Sequence, residues 1–317
     1  DMSRYHWHSK ELSTVVITFV FTLTTAQGVY AAGEVISSTT IVSTVNGIPV
    51  IDIVAPDANG LSHNRFVEFN VPSQGLVFNN STQAGFSDLV GNLSANTTLN
   101  GHSASLILNE VTGLNPSSLL GYTEVFGQSA ALVIANPNGI YANGAGFLNT
   151  PQVTLTTGVP TFDNGQLGFN VSKGIITIEN NPIDLRFTQT TDLVARQLLI
   201  NAPLVANGTI GLYAGQGRFK NGQLANSQPT QSTQLAIDAS ALGAMSAGRI
   251  YIVANEAGAG VKLDGKLSAT ADNIDINTNG DIRLNDLHAK RDIDISSQDH
   301  KLSINGQVLA GDNGRFN

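Results

Sequence analysis

Short runs in which apolar and polar residues alternate recur along most of the chain, with Gly, Asn and Pro between them. Alternation with a period of two places successive side chains on opposite faces of a β-strand, whereas a helix needs apolar residues three or four positions apart. Residues 41–56 contain two apolar runs around the pair Asn46-Gly47, which is the strongest short signal for a β-hairpin. Residues 63–71 and 74–80 are rich in aromatic and β-branched residues, which favour strands. The pattern predicts an all-β fold from residue 40 onward.

A regular repeat is visible toward the end of the chain. Short runs of strand type begin at residues 249, 260, 273, 281, 292 and 301. Every second run recurs after about 20 residues, which is typical of a solenoid with two short strands per repeat. The Leu-x-x-Leu-x-Leu frame of leucine-rich repeats is absent, so we expect a β-solenoid whose regular repeats begin within 249–317. The pattern stops in the middle of a repeat, and we therefore expect the chain to be the N-terminal fragment of a longer protein.

The first 31 residues have the layout of a secretory signal peptide. A polar segment with Arg4 and Lys10 precedes an apolar core at 12–23, and small residues follow. The apolar core is shorter than the roughly 20 residues that a membrane-spanning helix needs. The pattern predicts a signal peptide at 1–31, cleaved before Ala32, and a single secreted domain at 32–317.

Composition excludes several kinds of site. The 317 residues include no Cys, which removes disulfides, thiolate metal sites and Cys nucleophiles. A net charge of −8 without a visible basic patch disfavours nucleic-acid binding. Hydrophobic residues make up 41% of the chain, which is too apolar for disorder, while charged residues make up only 13%. Gly, Asn, Ser and Thr are abundant in place of charged residues, as expected for many short strands joined by many turns.

The most distinctive stretch is 122–149. At its centre stand Asn136, Pro137, Asn138, Gly139 and Ile140. The first four are close to an ideal type I turn, because the first Asn can bond back to the chain, Pro presets φ, the second Asn tolerates the third position and Gly closes the fourth. Apolar residues on both sides predict two strands that meet at a rigid corner. A turn of this kind is a common structural element, so the four residues alone do not indicate a function.

The longer string at 109–149 resembles the centre of the two-partner secretion domain, which is found at the N-terminus of filamentous haemagglutinins, related adhesins and contact-dependent inhibition toxins. Residues 60–66, Gly-Leu-Ser-His-Asn-Arg-Phe, resemble the opening of that family, and the likeness extends over roughly 40–300. The family also has an Asn-Pro-Asn-Leu motif. This chain offers a degenerate form between Asn96 and Leu99, in which the missing Pro is expected to loosen the turn.

The resemblance implies a right-handed parallel β-helix with an N-terminal cap, placed here at 32–80, and with antiparallel strands or a hairpin outside the helix. It implies a secretion-targeting domain that is exported by Sec and recognised in the periplasm by the POTRA domains of an outer-membrane β-barrel transporter of the TpsB type. The mature protein is then expected in the medium or on the surface of a Gram-negative bacterium. The site residues it implies act in partner recognition and folding: the Asn136–Ile140 corner first, then Asn115 and Pro116, then the degenerate pair Asn96 and Leu99.

No catalytic motif accompanies these features, and we expect no enzyme activity, catalytic residue, metal, cofactor or small-molecule substrate. The acidic residues Asp272, Asp275 and Asp281 would suit a calcium or lyase-like cluster, but they coincide with repeat positions and are expected on a solvated face. His63 with Arg65 is expected in a structural hydrogen-bonding role. Two alternatives stay open: a freestanding autotransporter-type adhesin with its own barrel, and a polysaccharide lyase-like β-helix enzyme.

Overall fold

The computed structural model describes residues 35–225, 232–297, 300–311 and 315. The signal peptide predicted at 1–31 lies outside the described residues. Within them, strands account for nearly all regular structure, and one short 3₁₀ helix, η1, covers Thr97–Leu99. No helix among the described residues has the length and apolar character required to cross a membrane. The all-β prediction is therefore confirmed.

The strands are short and follow each other closely. The first group is β1 (Ile36–Ser37), β2 (Ile41–Val45), β3 (Ile48–Asp52), β4 (Leu61–Glu68), β5 (Leu76–Asn80), β6 (Gly85–Ser87), β7 (Gly91–Leu93), β8 (Leu106–Val111), β9 (Ser117–Leu119), β10 (Tyr122–Gly127), β11 (Ala131–Ala135), β12 (Ile140–Ala142) and β13 (Gly146–Leu148). The second group is β14 (Gln152–Thr156), β15 (Val159–Asp163), β16 (Gln166–Val171), β17 (Ile175–Ile178), β18 (Ile183–Leu185), β19 (Thr190–Ala195), β20 (Gln197–Ile200), β21 (Leu204–Ala206), β22 (Thr209–Ala214), β23 (Gly217–Lys220) and β24 (Gln223–Ala225). The third group is β25 (Leu235–Ala239), β26 (Met245–Ala247), β27 (Arg249–Ala254), β28 (Gly260–Leu263), β29 (Leu267–Ala269), β30 (Ile274–Thr278), β31 (Ile282–Leu284), β32 (Leu287–Ala289), β33 (Ile293–Ser296), β34 (Leu302–Ile304) and β35 (Val308–Leu309).

These strands stack into a parallel β-helix with three long sheets. Sheet A has the order β1-β4-β8-β11-β14-β19-β22-β27-β30-β33, sheet B the order β2-β3-β5-β10-β13-β18-β21-β26-β29-β32-β35, and sheet C the order β9-β12-β17-β20-β25-β28-β31-β34. Each coil visits A, then C, then B, and the same element of the next coil pairs with it in parallel. The predicted repeat of two strands is therefore wrong, since each coil has three.

Apolar ladders fill the interior. Along one inward row of sheet A, Ile134 pairs with Leu155, and the row continues through Leu193, Leu212, Ile252 and Ile276. All six side chains are at most 2% exposed. Because each coil covers the apolar face of the one before it, burial of the core is continuous along the axis.

The first coil differs from the others in its aromatic filling and in its edge strands. Phe66, Phe69 and Phe78 lie together inside it, with ring centroids 5.1 and 5.9 Å apart. The hairpin predicted around Asn46-Gly47 is formed by β2 and β3, and β3 adds in parallel to β5 at the end of sheet B. On sheet A, β1 adds antiparallel to β4. Strands β4 and β5, which the predicted 32–80 cap includes, are themselves parallel members of the helix.

A four-stranded antiparallel sheet lies outside the helix, with the order β15-β16-β23-β24. Its two hairpins leave the coils at the same corner, between sheets A and C. The apolar side chains Phe169, Phe219 and Leu224 pack on the outer face of sheet A against Val133 and Val194. This sheet provides the extra-helical antiparallel strands that the fold prediction contained.

Candidate functional site: the asparagine corners

The corner between β11 and β12 is organised by the side chain of Asn136, which is fully buried. Its Nδ2 donates to the main-chain oxygen of Asn115 and to Oγ of Ser117, both at 2.9 Å. Its Oδ1 accepts from the main-chain and side-chain nitrogens of Asn138, at 3.0 and 3.1 Å. One amide therefore closes its own turn and ties it to the preceding coil.

The other residues of the predicted corner have complementary contacts. Asn138 donates from Nδ2 to the main-chain oxygen of Gly113 at 2.8 Å, a second bond to the preceding coil. Gly139 donates from its nitrogen to the oxygen of Asn136 at 3.1 Å, which closes the turn, and it has a φ of +118° that favours glycine. Ile140 is buried and pairs in parallel with strands of the coils on both sides. The structure thus brings the predicted corner residues together as one structural unit.

The corners of successive coils are stacked. Asn115 and Pro116 lie on the exposed corner directly before β9, and Asn115 donates from Nδ2 to Oε1 of Glu68 at 2.5 Å. On the other side, Gly174 has a φ of +92°, and a Cβ on it would lie 2.9 Å from the main-chain oxygen of Pro137. The Asn136 corner is therefore held between the corners of two neighbouring coils.

The degenerate motif forms a corner of the same kind. Asn96 is 2% exposed, and its Oδ1 accepts from the nitrogen of Thr98 at 2.9 Å, just as Oδ1 of Asn136 accepts from the nitrogen two residues on. Its Nδ2 donates to the main-chain oxygens of Ile53 and Asn79, both at 2.9 Å. Leu99 is fully buried in the core. Whether the missing Pro loosens this turn stays a prediction; the Thr98 hydroxyl lies 2.6 Å from Oδ1 of Asn96 and 2.7 Å from the main-chain oxygen of Ile53.

Sequence reasoning missed further buried amides in the first coils. Asn64 and Asn109 are in register on adjacent strands and face inward. Asn64 accepts from the nitrogen of Val54 at 3.0 Å, and Asn80 bonds both main-chain groups of Ala104, at 2.7 and 2.9 Å. The signal that could have found them is an Asn at a position that the alternation assigns to the core.

A buried carboxylate was missed as well. Glu124, on β10, is 4% exposed. Its oxygens accept from the main-chain nitrogens of Asp88 and Leu89, both at 3.0 Å, and from Oγ of Ser87 at 2.6 Å. These three donors belong to the β6–β7 hairpin and its turn, so Glu124 fixes that hairpin onto the outside of sheet B.

The residues singled out for other chemistry have structural contacts. His63 and Arg65 both approach Glu110, with His63 Nε2 at 2.7 Å from Oε2, and the hydrogen bond from His63 lowers the pKa of Glu110. Asp275 pairs with Arg249 at 2.8 Å. Among the described residues, no group of three or more His, Asp or Glu is arranged to hold a metal ion. Amide and hydroxyl groups bonded to backbone, as at these corners, order the chain.

Comparison with known proteins shows the family to which the chain belongs. A family model described as "TPS secretion domain" matches residues 27–284. The chain is 44% identical over 246 residues to a hemolysin of Proteus mirabilis. The alignment covers 74% of this chain and 15% of the hemolysin. It is 37% identical over 311 residues to a tRNA nuclease CdiA of Yersinia mollaretii, with 96% of this chain and 10% of the relative covered. It is 36% identical over 280 residues to the filamentous hemagglutinin of Bordetella pertussis. That alignment covers 85% of this chain and 8% of the hemagglutinin.

The chain thus spans about a tenth of the length of the curated relatives it matches. Among solved structures, the crystal structure of a filamentous hemagglutinin secretion domain superposes with a TM-score of 0.83 at 32% identity, covering 90% of this chain and 99% of that one. The family match and the structural match agree with the parallel β-helix: the chain belongs to the TPS, or two-partner secretion, domain family.

Proposed function

We propose that residues 32–317 act as the export signal of a larger exoprotein, and that the Asn136–Ile140 corner serves export by completing the first coils. A secretion domain of this family implies a partner transporter and is not itself enzymatic. In the finer mechanism that we propose, the chain crosses the inner membrane through Sec, and the POTRA domains of an outer-membrane TpsB-type barrel bind it in the periplasm. The chain then folds outside the cell, where the protein is released or held at the surface.

The bonding of Asn136 is the observation that supports this role for the corner. Its amide has four bonds, all of them within the turn or to the preceding coil. Asn115, Pro116, Asn96 and Leu99 have related positions, on the preceding corner and in the first coil. We therefore assign these residues to assembly of the N-terminal coils. Contact with the transporter is assigned instead to strand edges of the incompletely folded chain, because an edge offers unpaired backbone groups for strand addition.

The activity of the exported protein is a separate proposal. The matched relatives are named hemolysin, tRNA nuclease CdiA and filamentous hemagglutinin, and this chain aligns with only 8–15% of their length. We propose that the passenger is an adhesin or toxin of one of these kinds.

The test measures export and folding of the same variants. The chain is expressed in a Gram-negative host with and without its TpsB-type barrel, and its amount in the medium is compared for the natural sequence, Asn136→Ala and Asn277→Ala. Asn277 is an exposed strand residue on β30, so its replacement controls for the loss of an amide. We expect export only with the barrel, strongly reduced export of Asn136→Ala and normal export of Asn277→Ala.

Urea unfolding of the purified domains separates the two roles of the corner. Asn136→Ala leaves buried groups of the preceding coil unpaired and should lower the free energy of unfolding by roughly 2–4 kcal/mol. Lost export with unchanged stability would show instead that Asn136 contacts the transporter. Equal release without the barrel would contradict the whole proposal and favour a freestanding adhesin.

A further inference from the structure

A cleft of about 660 Å³ lies between the outer face of sheet A and the extra-helical sheet. Its floor carries Thr154, Thr190, Asp192, Thr209, Tyr213 and Tyr251, and its roof carries Leu167, Phe169, Phe219 and the turn at Asn221. The volume falls in the range of small-molecule sites, which is about 300–1,000 Å³. The cleft is separate from the asparagine corners, and nothing in the export role uses it.

The carboxylate of Asp192 is the central polar group of the floor. Asp192 stands between Thr154 and Gly211 in an outward row of sheet A. A Cβ placed on Gly211 would lie 2.5 Å from Oδ1, so the carboxylate leans over the space that this glycine leaves open. Burial raises the pKa of Asp192 to about 6, and within the described chain no hydrogen bond or cation counters that effect. The group is therefore a desolvated acid beside an open volume.

Aromatic rings of the floor and the roof lie next to this carboxylate. The ring centroid of Tyr213 is 4.8 Å from that of Phe219 and 5.8 Å from that of Tyr251. The guanidinium of Arg249 also lines the cleft, where Nη2 is bonded to Asp275 at 2.8 Å and Cζ lies over one face of Tyr251, 5.7 Å from the ring centroid. The titratable groups that line the cleft with Asp192 are thus Tyr213, Tyr251 and the paired Arg249, while the extra-helical strands contribute apolar residues and Asn221.

We propose that this cleft binds a small organic cation, a primary ammonium carried on an apolar body, with Asp192 as the counter-ion. The faces of tyrosine rings attract cations, and this cation–π attraction is strongest where water is excluded. The apolar end, at Leu106, Val133 and Phe169, accommodates the body of the ligand. The unpaired carboxylate would repel an anion. A neutral ligand would leave the negative charge uncompensated in its desolvated site. The cleft is assigned binding only, with no chemical step.

The test is a calorimetric titration of the purified domain with 2-phenylethylammonium chloride at pH 7.5. The neutral isostere 2-phenylethanol has the same body without the charge. We expect saturable binding of the ammonium, and binding weaker by about tenfold or more for the alcohol and for Asp192→Asn, because each loses the ion pair. Asp238→Asn removes a carboxylate on sheet C that pairs with Lys262, and it should change the affinity less than about twofold.

Asp192→Asn keeps the side-chain shape and removes a desolvated charge, so it is expected to fold. Tyr251→Leu provides an independent variant that retains Asp192 and removes one aromatic face, and it should weaken ammonium binding about threefold or more. Equal binding of ammonium and alcohol, or an unchanged affinity in Asp192→Asn, would overturn the proposal. Absence of saturable binding by the natural sequence, or preferential binding of a neutral sugar such as methyl glucoside, would overturn it as well.

Discussion

At the scale of single residues, Asp192 links burial to a pH dependence of stability. Its pKa lies at about 6 in the folded chain against an ordinary 3.8, so the folded state binds the proton more tightly than the unfolded state. Stability contributed by this group is therefore present below about pH 4 and is lost as the pH rises toward 6. At pH 8 this lowers the free energy of unfolding by at most about 3 kcal/mol relative to pH 4.

We predict that Asp192→Asn is more stable than the natural chain by about 1–3 kcal/mol at pH 8 and nearly equal to it at pH 4. Urea unfolding of both proteins at the two pH values measures the difference. Asp238→Asn serves as the control, since its carboxylate is only partly buried and pairs with Lys262. A difference between Asp192→Asn and the natural chain that is the same at both pH values would contradict the burial argument.

Gly174 tests how closely the stacked corners approach. A Cβ there would lie 2.7 Å from Cβ of Thr157 and 2.9 Å from the oxygen of Pro137, and φ is +92°. Gly47 has a similar φ of +80° but nothing within 4 Å. We predict that Gly174→Ala lowers the free energy of unfolding by about 2–4 kcal/mol, and that Gly47→Ala lowers it by about 1 kcal/mol, because only the first adds a clash to the strain of positive φ. Thermal or urea unfolding compares them, and equal losses would mean that the corners can separate.

The sequence was sufficient to predict where the chain turns but not what the turn contacts. Asn136 through Gly139 could be assigned to a turn, because turn preferences are local. The inward Asn64 and Asn109 stand at positions that alternation assigns to the core, so the pattern indicates their burial but not their hydrogen-bond partners. Their partners come from the next coil or from the chain before it, and a single strand contains no information about its stacked neighbour.

At the scale of elements, the β6–β7 hairpin is held by one acidic side chain. Glu124 accepts three hydrogen bonds from it, while Leu89 and Val90 of its turn pack against apolar side chains of sheet B. We predict that Glu124→Gln speeds amide hydrogen exchange in the hairpin about 10–100-fold, because an amide in place of the carboxylate can no longer accept all three bonds. Exchange in sheet A should not change. Glu179→Gln, outside β10 and the hairpin, is the control, and unchanged exchange in Glu124→Gln would show that apolar packing alone holds the hairpin.

Strands with a clear pattern of apolar residues and a recognisable turn could be predicted, and strands without them could not. The β2–β3 hairpin has an Asn-Gly turn between two strands of five residues and was predicted from that pattern. The sheet B strands β29 and β32 have Ala at the second inward position, where the equally short β31 and β34 have Leu or Ile, and this weaker pattern predicts only two strands per coil. Extra-helical strands were expected only from the family resemblance. Their position over sheet A depends on packing of Phe169 and Phe219 that no local pattern predicts.

At the scale of the whole molecule, a solenoid makes it possible to place the same change early or late along one ladder. Ile134 and Ile276 occupy the same inward row of sheet A, five coils apart by strand pairing, and both are almost fully buried. Replacing either one by Ala leaves a cavity and should lower the stability of the purified domain by about 2–5 kcal/mol. Urea unfolding establishes whether the two losses are similar in solution.

Export is expected to separate the two variants. If coils form outside the cell by adding to a completed N-terminal coil, a defect at Ile134 delays every later coil, whereas a defect at Ile276 delays only the last ones. We predict that Ile134→Ala lowers the rate of appearance in the medium severalfold more than Ile276→Ala does, at equal expression and in the presence of the barrel. The natural chain is the reference, and a pulse-chase measurement gives the rates. Equal rates for the two variants would mean that folding starts at any coil, and normal rates for both would mean that export does not draw on the free energy of folding.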